Sequence, residues 1–90
     1  MNVKLTIGGE RTTVVQLAKQ LGECAVVQIL ERNNFTHIDP SDISNIDELK
    51  QHNIRFNALS EKDGKVYQFD HWIGEYPFAG IELIEIGYIK

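Results

Sequence analysis

Cysteine is nearly absent from this chain. Cys24 is the sole thiol in 90 residues, so no intrachain disulfide can staple the fold. That fits a reducing compartment, and a cytoplasmic location is the expectation. Apolar runs are short as well. None exceeds four residues, far below the roughly 20 that a membrane-spanning helix needs, so no membrane contact is expected. The opening stretch MNVKLTIGGE has neither the basic segment nor the apolar core of a secretory leader. Repeats, low-complexity tracts and linker-like stretches are missing too, and residues 1–90 read as one domain. Basic residues are the minority: nine Lys and Arg against 13 Asp and Glu, a net charge of −4. Phosphate-backbone binders depend on many basic contacts, so nucleic acid is not the expected partner.

What is present is an ordinary globular composition, 42% hydrophobic, which argues against disorder. A chain this short buries roughly 60–65% of its unfolded surface, so its stability is expected to be a few kcal/mol. VKLTI, residues 3–7, alternates apolar and polar as a strand half-buried on one face does. Gly8-Gly9 marks a turn. Thr13 with Gln16 three residues later reads as a capping box opening a helix, with Val14, Leu17, Ala18 and Leu21 on one face. Gly22 then reads as the end of that helix. CAVVQIL, residues 24–30, has the β-branched residues of a strand, but its flanks suit a helix that stops at Asn33-Asn34; helix is the preferred reading. Asp39-Pro40 signals a short helical turn, with Asp39 as its cap. NIDELKQHN signals another helix, with Ile46 and Leu49 inward and Asn53 as its stop. IRFNALS and KVYQFDHW flank EKDG as a hairpin with an Asp-Gly turn. IELIEIGYIK reads as a last strand with apolar residues on both faces, either central or bulged near Leu83. The expected fold is α+β, with an antiparallel sheet of three to four strands, helices packed on one face and the order β-α-(α)-α-β-β-β.

No motif in the chain specifies a reaction. A zinc site needs three or four donors converging on one point. His37-x-Asp39, His52 and Asp70-His71 lack the spacing of a known metal motif, and Cys24 has no partner, so no metal and no cofactor are expected. Cys24 lies between Glu23 and an apolar run, the setting of a small core residue rather than of a nucleophile. Asp70 and Glu75 form the best candidate acid–base pair, but a domain this small rarely encloses a deep cleft, and a non-enzyme is expected. An enzyme would instead require Asp70, His71 and Glu75 to converge in a concave site near His37 or His52. Gly8-Gly9 lacks the Gly-Lys-Ser/Thr that completes a phosphate loop.

TVVQLAKQLGECAVVQILERN, residues 13–33, resembles the helix-turn-helix of bacterial repressors at Leu17-Ala18 and Leu21-Gly22. It departs where the second helix should carry apolar anchors, at Gln28 and Glu31, with Ile29 and Leu30 out of register. The resemblance implies the alternative function, a winged-helix-like DNA-binding regulator whose basic face would unite Lys19, Arg32, Arg55, Lys62 and Lys65.

The most uneven feature is the last third. From Val66 to Ile89 there is no Lys or Arg, while Asp70, Glu75, Glu82 and Glu85 fall there. Six of the eight aromatics fall there too, several of them in DHWIGEYPFAG, residues 70–80. One reading of that stretch is a lid whose rings cover the core. The other is an exposed loop whose aromatic rings anchor a protein partner, while the acids select a basic surface. The second reading assigns partner binding to Tyr67, Asp70, Trp72, Glu75, Tyr76, Phe78 and Glu82. It makes the chain a small acidic protein that binds another protein, of the kind found among inhibitors, immunity proteins and the anti-defence accessory proteins of phages and mobile elements. A homodimer through the same loop is the other association it allows.

Overall fold

The computed structural model describes residues 3–6, 23–52, 55–74 and 80–90. The Gly8-Gly9 turn, the helix expected from Thr13, the Gly22 stop and Asn53 lie outside them. The described residues form an α+β fold: strand β1 (Val3–Thr6), helix α1 (Glu23–Arg32), strand β2 (Thr36–His37), a 3₁₀ turn (Pro40–Asp42), helix α2 (Ile46–Gln51), then strands β3 (Ser60–Lys62), β4 (Lys65–Ile73) and β5 (Gly80–Tyr88). All five strands join one antiparallel sheet in the order β1-β5-β4-β3-β2. The expected sheet of three to four strands is therefore too small. The difference is the two-residue strand β2, too short to leave a periodic signal.

α1 is helical although it contains Val26, Val27 and Ile29, because its ends are made for a helix. Asn34 takes the left-handed conformation at φ 66°. Phe35 N–H donates to Leu30 O at 2.9 Å and Asn34 N–H to Glu31 O at 3.1 Å. These are the paired bonds of a Schellman stop, sealed by Leu30 and Phe35 in one apolar cluster. Ala25, Val26, Ile29 and Leu30 face inward, which leaves Cys24 and Gln28 outside. Cys24 is thus exposed, not the core residue its apolar neighbours suggested; helical phase turns it away.

The expectation of helices on one face is corrected too. Val26, Ile29 and Leu30 of α1 pack with Phe35, Tyr67, Ile81 and Leu83. Leu49 and Ile46 of α2 pack instead with Ile43, Leu59, Val66 and Ile86. Val66 and Tyr67 are consecutive in β4, so their side chains leave opposite faces of the sheet. Among the described residues, one helix packs on each face.

The hairpin is tighter than expected. Asp63 and Gly64 both have positive φ, 54° and 85°, as a two-residue type I′ turn demands. Lys62 pairs with Lys65 across it, so Glu61 and Lys62 belong to the strand rather than to the turn. The strand expected over residues 54–60 begins only at Ser60. Ala58 sits at φ 46°, a conformation that breaks an extended run.

β5 is flanked by β1 and β4, as a strand apolar on both sides should be. It is also irregular. Val66 pairs with Gly87 but Tyr67 pairs with Glu85, so Ile86 is an extra residue on β5. A second irregularity faces Leu83 but lies on the other strand: Phe69 pairs with Leu83 and His71 with Glu82, which leaves Asp70 extra on β4.

Candidate functional site

The bulge at Asp70 decides where the site residues go. Before it, Tyr67 and Phe69 point to the α1 side; after it, Trp72 opposite Ile81 does so again. A bulge changes the facing of the residues beyond it, which explains apolar rings at 67, 69 and 72 on one face. Asp70 to Trp72 are strand, as the KVYQFDHW run suggested, and Ile73 extends it; the loop reading of DHWIGEYPFAG does not hold for these four residues.

This separates the expected docking residues. Tyr67 is only 9% exposed and meets the Phe35 ring edge-on at 5.6 Å. Its ring belongs to the core and is removed from the contact surface. Trp72 is half-buried against the same core and meets Phe69 at 5.5 Å. Asp70 is exposed on the opposite side of the sheet, with Glu82. Glu75, Tyr76 and Phe78 lie outside the described residues.

On that opposite face a polar row crosses three strands. Lys4 of β1 pairs with Glu82 of β5, and Glu82 pairs with His71 of β4. The Glu82 side chain is 15% exposed and sits at the centre. Lys4 Nζ is 3.7 Å from its Oε2, and His71 Nδ1 is 3.9 Å from its Oε1. Asp70, next in the chain to His71 but brought to the same side by the bulge, accepts a 2.8 Å hydrogen bond from His71 Nδ1. A carboxylate can only accept, so the proton is on Nδ1. Exposed pairs of this kind are worth about 0–1 kcal/mol each; their interest lies in placement. Lys4 puts a base beside acids that, in sequence, have none within the 66–89 segment.

Asp70, His71 and Glu82 each present a donor atom, and the three atoms lie within 4.8 Å of one another. Sequence spacing pointed to Asp70 and His71 but not to Glu82 as their third neighbour, because a register shift sets that contact. Of the acid–base set, Glu75 lies outside the described residues, and neither His37 nor His52 joins the cluster of Asp70 and His71. His37 lines a separate open cleft of about 150 Å³ with Ile38, Asp39, Pro40, Phe56, Ala58 and Leu59. His52 caps the end of α2. Of the basic residues of the DNA-binding alternative, Lys19 is outside the described residues. Lys62 donates to Asn33 O at 3.1 Å and lies over the Phe35 ring at 5.1 Å.

No protein-family model, curated protein or solved structure matches this chain.

Proposed function

We propose that the protein is a non-enzymatic binding module that docks on the basic surface of a partner protein. The carrying observation is the acidic corner of the sheet, where the exposed Asp70 and the mostly buried Glu82 stand together on β4 and β5 with no described helix over them. The sequence after β4 supplies Glu75, Tyr76 and Phe78, an acid and two rings, which this reading assigns to the same contact. Acids grouped on a rigid sheet select a cationic partner and speed its encounter more than they add raw affinity. Inhibition of a protein that uses such a basic surface is the activity this supports. Engagement of Lys62 with Asn33 and Phe35 favours this reading over DNA binding, since that ammonium holds the end of α1.

The test uses charge reversal. The native chain and the Asp70→Lys/Glu82→Lys variant are immobilised, and capture from a lysate of the native host is compared. A protein retained by the native chain, lost with the variant and eluted by moderate salt supports the proposal. A partner retained equally by both places the contact elsewhere.

A further inference from the structure

We infer that Asp70, His71 and Glu82 form a binding site for a divalent zinc-like ion. The argument begins with distance. At zinc–ligand bonds of about 2.0–2.1 Å, two donors in a tetrahedral shell stand about 3.3 Å apart. His71 Nδ1 lies 2.8 Å from Asp70 Oδ2 and 3.9 Å from Glu82 Oε1, one shorter and one longer than that value by about 0.6 Å. All three donor atoms lie within 4.8 Å of one another. Donor type agrees. One imidazole nitrogen and two carboxylate oxygens suit zinc, whereas calcium wants six to eight oxygens. Charge agrees too, since two carboxylates and a neutral imidazole balance a dication. The metal would take the place of the proton that Nδ1 now shares with Asp70.

The backbone supports the arrangement. Without the extra residue in β4, consecutive Asp70 and His71 would point to opposite faces; the bulge brings both beside Glu82. Asp70 and His71 are exposed, which leaves an approach for the ion and a fourth position for water. Lys4 is the competitor: its ammonium, 3.7 Å from Glu82 Oε2, occupies one of the carboxylate's partners.

This inference shares Asp70 and Glu82 with the docking reading and competes with it, since a bound dication would neutralise both acids; it is tested with the metal alone as the ligand. Zinc chloride is titrated into the full chain by calorimetry, with magnesium and calcium chloride as comparisons. The expected result is one saturable zinc ion per chain and no comparable heat from magnesium or calcium. His71→Gln and Asp70→Asn, both at exposed positions, should each weaken zinc binding by at least about tenfold. Lys4→Ala should tighten it severalfold, an effect that loss of a structural contact does not produce. His37→Gln and His52→Gln should leave it unchanged. Absence of saturable binding, or binding that survives His71→Gln in a variant with native circular dichroism, overturns the inference.

Discussion

At the scale of single residues, Trp72 and Ser60 illustrate opposite situations. Trp72 is half-buried, edge-on to Phe69 and packed on the α1 cluster. Replacing a fully buried tryptophan by alanine costs about 3–5 kcal/mol, so Trp72→Ala should cost about 2 kcal/mol in urea unfolding. A loss under about 0.5 kcal/mol would mean the ring contributes nothing to the core. Its emission should lie between those of a free and a fully enclosed indole. Ser60 is fully buried, and its hydroxyl has no hydrogen-bond partner among the described residues. An unpaired buried hydroxyl carries a desolvation cost of about 1–3 kcal/mol. Ser60→Ala is therefore expected to leave stability unchanged or to raise it, and a clear drop in melting temperature would show that the hydroxyl has a partner in solution.

At the scale of elements, two glycines are needed for different reasons. Gly64 holds φ 85° in the hairpin turn, and a Cβ there would meet nothing within 4 Å. Gly64→Ala should therefore cost about 1–2 kcal/mol through backbone strain alone. Gly87 is required by a neighbour: a Cβ would collide with Asn45 Oδ1, while Asn45 Nδ2 donates to Ile86 O at 3.3 Å. Gly87→Ala should cost about 1–3 kcal/mol. The cost should shrink in an Asn45→Ala background, which a double-mutant cycle measures directly. The same contrast governs what could be read in advance. The Asp63-Gly64 turn, β1 and the Asn34 stop are set by local chemistry, so the sequence displayed them. The irregularity at Asp70 depends on how two strands align, and no local residue announces it; the two-faced apolar pattern of IELIEIGYIK did allow a bulge in β5, which lies at Ile86 rather than near Leu83. The burial of Tyr67 and the meeting of His71 with Glu82 were hidden for the same reason.

At the scale of the molecule, the sheet is held by pairings of very different reach. β3, β4 and β5 follow one another in the chain, but β1 crosses to β5, pairing Val3 with Leu83. Non-local pairings of this kind slow folding, and refolding followed by Trp72 fluorescence is expected on the millisecond-to-second scale. A microsecond phase that accounts for the whole signal would show that β1 docks after the observed transition. Removal of residues 1–6 should leave the backbone groups of one β5 edge unpaired and expose the core beside Leu83, where Val3 and Leu5 pack. The truncated chain is expected to associate or to lose stability, which sedimentation and denaturant titration separate.

The pairing of Val3 with Leu83 also sets a schedule. During synthesis β1 emerges before every other described element and must wait for β5 before it can pair. Throughout that interval Val3 and Leu5 are open to whatever else is nearby. Nascent β1 is therefore the segment a chaperone would be best placed to hold.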